Sequence, residues 1–321
     1  MNTDDLLRVL LRERPAPVAA ETVTAFLAGL GDALSKADTP VERAILGGAR
    51  SDRMGFAFAM GYQAALSALV PGLEPGKIAS FCVSEEGGNR PRSILTRLES
   101  RGSETVLVGS KRWSTMAPLA DTLVVVARRG EGEDGRPMLV AVKVRVDAPG
   151  LSIVEMPPAP FVPEVPHAEL TFEGVVVAPG DVLPGDAYDY YVKPFRTVED
   201  LHVQAALLGY VTSVAFRHGF PEGVRERLVA LVTTARALAE LDARRAETHV
   251  ALSGFLSLVG AVLVDTDAHW GLVGDTERER WYRDVTLVSV AQRARTERRA
   301  RAFESIERKV EDEAQRSARL G

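Results

Sequence analysis

The sequence predicts an α+β chain in three blocks. N-terminal helices fill 1–78, a central antiparallel β-barrel or sandwich fills 79–185, and a C-terminal helical bundle fills 186–321. Three observations carry this. Apolar residues recur at helical spacing up to about residue 78. Short β-branched segments, separated by Gly, Pro and charged turns, occupy the middle. Helical spacing then returns and holds.

In the first block, Glu21 to Lys36 places Val23, Phe26, Leu27, Leu30 and Leu34 on one helical face. Thr39-Pro40-Val41-Glu42 is a helix start, with Pro at the first helical position and Glu at the third. Arg53 to Leu69 is a further helix with a small-residue face, closed by Pro71-Gly72. In the second block, strands are expected at Ser80–Val83, Thr105–Gly109, Asp121–Ala127, Met138–Val146, Ile153–Met156 and Ala168–Val177. The charged, glycine-bearing stretch Arg128–Arg136 reads as a hairpin tip. In the third block, helices are expected at Val198–Phe216, Val224–Glu240, Ala246–Val264 and Arg280–Arg316.

Composition narrows the function classes. The 321 residues are 46 % hydrophobic and 26 % charged, which is ordinary globular usage. A net charge of −5 gives no basic field for nucleic acid. Apolar runs such as Leu123–Ala127 and Val259–Val264 stop well before the length of a membrane helix, so no membrane partner is expected. Met1–Arg14 carries Asp4, Asp5 and Glu13 and does not read as a signal peptide. A single cysteine, Cys82, makes neither an internal disulfide nor a Cys-rich metal site. The five histidines form no ligand-spaced cluster, so no metal is expected. A reduced, cytoplasmic setting follows as the expectation.

All but one of the motifs lie in the middle block. They are Phe81-Cys82-Val83-Ser84-Glu85, then Gly87-Gly88, then Lys111-Arg112-Trp113-Ser114-Thr115 and Ala120-Asp121. Val175-Val176-Val177-Ala178-Pro179 and Trp281-Tyr282-Arg283-Asp284 follow. In this order they resemble the acyl-CoA dehydrogenase family, over about residues 50–295. The resemblance implies a flavin (FAD), an acyl-CoA or acyl-carrier thioester substrate, α,β-dehydrogenation, and a homo-oligomer, with a dimer favoured. It implies that Phe81, Val83, Ser84, Trp113, Ser114 and Thr115 hold the flavin, whose ring the protein keeps oriented and dry. Read alone, Trp113 is equally a core aromatic of its strand and Ser84 a strand-end hydroxyl.

The sequence also departs from the family pattern. The family's usual base, a glutamate eight residues after the Asp of Y-R-D, is Gln292 here, which cannot accept a proton as a general base. Some branches place the base about ten residues before a mid-helix glycine. Counting back from Gly209 gives Glu199, the expected catalytic residue. The competing reading makes Thr197-Val198-Glu199-Asp200 the acidic, capped start of a helix. The R-x-x-F-G turn and the Q-x-x-G-G segment that grips the cofactor pyrophosphate have no counterparts, so the resemblance implies weakened or lost cofactor contacts. Arg293, Arg295, Arg298, Arg299 and Arg301 read as a phosphate clamp or a solvated helix face. Tyr188 to Arg196 reads as a substrate mouth or a domain junction. Two other readings stand beside the dehydrogenase: a non-catalytic partner subunit and a flavin monooxygenase on the same fold.

Overall fold

The computed structural model describes residues 1–320, with side chains to 316. Helices α1 (Thr3–Arg8), α2 (Val23–Ala28), α3 (Gly31–Leu34), α4 (Pro40–Ala49) and α5 (Met54–Leu69) precede the sheet. The helix expected over Glu21–Lys36 is split into α2 and α3. Gly29 sits at the break, where an added Cβ would lie 2.8 Å from Val18. The Thr39 signature forms a complete capping box: the Thr39 hydroxyl accepts from the Glu42 amide, and the Glu42 carboxylate accepts from the Thr39 amide.

The sheet contains β1 (Ala79–Cys82), β2 (Arg97–Arg101), β3 (Glu104–Thr115), β4 (Thr122–Glu131), β5 (Pro137–Arg145), β6 (Leu151–Glu155) and β7 (His167–Val176). It is mixed rather than wholly antiparallel. Strand β4 takes β1 and β2 in parallel, while β2–β3, β3–β7, β4–β5 and β6–β7 are antiparallel. The cause is the excursion through the β2–β3 hairpin, which returns the chain to β4 in the direction of β1. Strand β2, Arg-Leu-Glu-Ser-Arg, carries no β-branched residue, so its composition gives no strand signal. Charged pairs Arg97–Glu99 and Arg101–Glu99 line its exposed face instead. The β4–β5 hairpin turns through Gly135 at φ 69°, inside the charged stretch expected to be a hairpin tip.

After the sheet come α6 (Lys193–Arg217), α7 (Glu222–Leu238), α8 (Ala246–Asp267), α9 (Asp275–Asp284) and α10 (Gln292–Leu320). The single helix expected over Arg280–Arg316 is interrupted by a 3₁₀ stretch, Val285–Ser289, where β-branched residues crowd. Helix α8 corrects the membrane reading. Its 22 residues contain a window of mean hydropathy 1.6, long and apolar enough to span a bilayer by length and composition alone. In this fold it packs Leu252, Phe255, Val259 and Val262 inward and leaves Leu258 and Val264 exposed.

Helix α6 is the central beam. It crosses α4 at near backbone contact. A Cβ at Gly209 would lie 2.1 Å from the Ile45 carbonyl oxygen, and one at Gly48 would lie 1.9 Å from that of Ala206. Only glycine at both positions permits this approach, and α6 is thereby fixed against α4 and α5.

Candidate functional site

Helix α6 begins earlier than its apolar pattern suggests. A π-helical turn, Tyr188–Val192, feeds directly into it, and Pro194 occupies its first turn, where a missing amide costs nothing. Thr197 is therefore inside the helix and caps nothing, and α6 has no acidic residue in its first turn. The capped-start explanation of Glu199 falls on this geometry.

Glu199 instead lines a cavity of about 290 Å³ between α6, the end of β3 and the loop around Phe161. Trp113 and Thr115 line the same cavity, with Phe58, Val162, Val203 and Leu287 as apolar wall. One motif, Lys111–Thr115, and the expected base, far apart in sequence, thus meet at one site. Burial pushes the Glu199 carboxyl above the usual carboxylate range, opposed by Arg196. Arg196 Nη1 stands 2.9 Å from Glu199 Oε2, and the guanidinium keeps about half its surface in water.

The two motif strands run side by side. The Ser80 hydroxyl donates to the Thr115 carbonyl at 2.7 Å, and the Arg112 amide donates to the Ser84 carbonyl at 2.8 Å. Ser84 is therefore next to Trp113, though neither it nor Val83 lines the cavity. Trp113 is no core aromatic: it is 57 % exposed and sits at φ 58°, a strained setting for a bulky residue. A bulge in the β3–β7 register between Lys111 and Ser114 turns it outward. Ser114 is buried, and so is Phe81, whose ring packs on Phe195 at 4.8 Å. Behind the strands, Lys111 Nζ donates to Glu85 Oε1 at 2.6 Å and to the Val83 carbonyl at 3.1 Å. This buried pair fixes the turn after Ser84. The Cys82 thiol is pushed up by burial and lies away from the cavity wall.

The Trp281-Tyr282-Arg283-Asp284 motif shapes the wall from the other side. Asp284 Oδ1 accepts from the Val162 amide at 2.7 Å, and Arg283 Nη2 donates to Glu164 Oε1 at 2.7 Å. These bonds hold Val162 at φ 42°, a costly conformation for a β-branched residue. Gln292, at the family's usual base position, opens α10 and lines a different cleft, between α8 and α10. The expected phosphate clamp is also otherwise engaged. Arg295 and Arg298 both donate to Asp200, which is 3 % exposed. Arg293 pairs with Glu297 on the surface. Among the described residues no group of three His, Cys, Asp or Glu is placed to hold a metal.

Sequence reasoning misses Asp200 as a latch and Gln204 as a cavity residue. Gln204 carries a signal: it is a lone amide inside the apolar run Leu201–Val211.

The ring end of a flavin fits these residues. An exposed indole, a threonine at the cavity wall and an apolar floor meet beside a buried carboxyl. The turn Glu85–Gly88 closes on itself through reciprocal backbone bonds of 3.0 and 2.9 Å, so those two amides are not free for a phosphate.

Comparison with known proteins bears on the middle domain and on the fold. The family model for the acyl-CoA dehydrogenase middle domain matches residues 80–175. A probable acyl-CoA dehydrogenase of Bacillus subtilis (strain 168) is 31 % identical over 125 residues, covering 39 % of this chain and 31 % of the relative. Benzylmalonyl-CoA dehydrogenase of Aromatoleum aromaticum is 31 % identical over 108 residues, covering 33 % and 28 %. The matched part thus spans about a third of the length of these curated relatives. Butyryl-CoA dehydrogenase of Megasphaera elsdenii shares the fold across 94 % of this chain and 97 % of its own, with a TM-score of 0.64 at 14 % identity. A crystal structure described as an FAD-dependent dehydrogenase covers 95 % and 100 %, with a TM-score of 0.67 at 16 % identity. Residues 80–175 are thus similar to the acyl-CoA dehydrogenase middle domain, and the chain as a whole shares the fold of acyl-CoA dehydrogenase structures.

Proposed function

We propose that the protein is a flavin-dependent oxidoreductase that dehydrogenates an acyl thioester between its α and β carbons. Glu199 is the base. The observation that carries this is the meeting of Glu199 with Trp113 and Thr115 in one cavity. When bound there, FAD supplies the acceptor for the β-hydride. Trp113 covers the ring and Thr115 orients it, with the backbone at Ser84 beside them. The Glu199 carboxylate takes the α-proton. Its raised pKa strengthens it as a base, and Arg196 opposes the rise by favouring the carboxylate. Phe58, Phe161 and Val203 keep water from the reacting carbons.

The exposed apolar face of α8, with Leu258 and Val264, supports a homodimer, and the family's soluble, cytoplasmic setting comes with the reading. The self-closed Glu85–Gly88 turn favours a second reading, a partner subunit that has lost its cofactor. One experiment separates the two. The freshly purified protein, with FAD added, is examined by absorbance and then mixed anaerobically with an acyl-CoA. Retained yellow colour that bleaches supports the dehydrogenase. A colourless protein that retains no FAD supports the partner subunit.

A further inference from the structure

The face of α6 opposite Glu199 lines a second cavity, of about 250 Å³, walled also by the ends of α5 and α7 and the start of α8. Val198, Leu201 and His202 recur at the spacing of one helical face, while Glu199 and Val203 share another. Leu69, Leu201, Leu238 and Leu252 make an apolar wall. His202 stands among them and is 4 % exposed. Its Nδ1 lies 2.8 Å from the Val198 carbonyl, which can only accept, so Nδ1 carries the proton. Nε2 is left as a lone-pair acceptor. It has no partner among the described residues, yet it keeps accessible surface although the residue as a whole is buried. Burial pushes the imidazole pKa down to about 4, so the ring is neutral near pH 7.

We propose that this cavity is a ligand site, separate from the thioester site, for a small neutral apolar molecule carrying one O–H or N–H group, which His202 Nε2 receives. The lining selects for neutrality. Its charged residues, Asp242 and Arg244, bond to each other, with Arg244 Nε and Nη2 at 3.0 and 3.2 Å from the two carboxylate oxygens. Arg298 reaches Thr197 behind the wall, but Asp200 takes up its charge. The other polar residues of the lining, Tyr190, Thr197 and Thr248, are neutral hydroxyls. A charged ligand of either sign would lose its hydration against the leucines and find no free counter-charge. A carboxylate would also bring Nε2 no proton. An alcohol, a phenol or an amide pairs Nε2 and buries its hydrocarbon against the same wall.

The test is binding of phenol and of toluene, which differ by a hydroxyl for a methyl, to the intact protein with FAD added. Isotope-labelled histidines report the place by NMR, because His202 lines this cavity and His167 lines the Glu199 cavity. Phenol is expected to move the His202 Nε2 signal upfield, as a nitrogen that accepts a hydrogen bond, and to leave the His167 signals in place. Toluene should move Nε2 little. The ratio of phenol to toluene affinity in the wild type is expected to exceed that in His202→Phe by about five- to tenfold, the range of one net hydrogen bond. If the phenylalanine variant does not fold, the wild-type spectra decide alone. Binding of neither probe, an unmoved Nε2, or a response at His167 in place of His202 overturns the inference. So does an equal affinity ratio in the wild type and the folded variant. None of these outcomes touches the thioester reading.

Discussion

Arg196 and Glu199 form an ion pair across one turn of α6, 2.9 Å apart, with the carboxyl inside the cavity and the guanidinium half in water. The arginine offsets part of the penalty that burial places on the charged carboxylate. Its removal therefore raises the Glu199 pKa further. With Arg196→Met, the rise of kcat/KM with pH, which reports ionisation of the base, shifts to higher pH. A pH–rate profile of the two proteins checks this. An unmoved limb would show that another group is the base.

Glu199→Gln tests the base itself. Turnover is expected to fall by about 10²–10⁴, the usual contribution of a positioned base. Flavin retention should be unchanged, because the substitution keeps the side chain's size and shape beside Trp113 and Thr115. Stability gives a second readout. A carboxyl whose folded pKa is raised weakens the fold once it ionises. The wild type is therefore penalised at neutral pH, and the penalty disappears as pH falls below the ordinary carboxylate value. The glutamine variant carries no such penalty, so it should be the more stable protein at neutral pH and should lose that advantage in acid. Paired denaturation curves across pH measure it.

Trp113 faces the cavity and solvent and not the core. More than half of it is exposed, it holds a strained φ of 58°, and it lies at the cavity. Trp113→Ala should leave the stability of the flavin-free protein within about 0.5 kcal/mol, as surface changes do. Flavin affinity should drop by an order of magnitude or more. Thermal melting with and without added FAD separates these effects, and a large loss in the flavin-free melt would return Trp113 to the core.

The two motif strands are legible in the sequence because the motifs quote the chemistry directly. The expected strand Ser80–Val83 holds most of the first motif, while the expected strand Thr105–Gly109 stops short of the second, which β3 carries to Thr115; the Ser80–Thr115 and Arg112–Ser84 bonds join the two. What stays hidden depends on long-range geometry. Nothing local marks Arg-Leu-Glu-Ser-Arg as β2, because its pairing with β3 alone makes it a strand. The basic run near residue 295 reads as free because its acid, Asp200, lies 95 residues earlier. The apolar pattern starts α6 late because the polar, aromatic turn Tyr188–Val192 shows no apolar period, yet it feeds the helix.

The Lys111–Glu85 pair holds the turn that follows Ser84. Burial pushes the Glu85 carboxyl up, but Lys111 and the amides of Leu95 and Thr96 outweigh it and hold the pKa below its ordinary value. That stabilisation is full above the ordinary carboxylate pKa and is lost as pH falls through the depressed one. Lys111→Met removes the partner and leaves a charge buried, at a cost of about 3–5 kcal/mol. Pairing it with Glu85→Gln should restore part of the loss. Urea midpoints of the single and double variants measure the coupling, and additive losses would show the pair to be independent.

Asp200 is the last link between the site and the end of the chain. It is nearly inaccessible, and its two oxygens receive Arg295 and Arg298 from α10 while it sits beside Glu199 on α6. Arg295 also donates to the Val288 carbonyl and lines the cavity, so one guanidinium ties α10, the 3₁₀ stretch and the site together. Asp200→Asn keeps the shape but leaves two guanidiniums without their charge partner, each with little access to water. Stability should fall by about 3 kcal/mol. The Leu287 and Val290 wall, which the latch holds against α6, should loosen with it, so acyl-CoA affinity falls together with stability. Hydrogen exchange would show protection lost in α10 and in the first turns of α6, with the sheet unchanged. If protection were lost uniformly, Asp200 would be an ordinary core contact and not a latch. A variant that kept wild-type stability would mean that α10 is held by its apolar face against α8 alone.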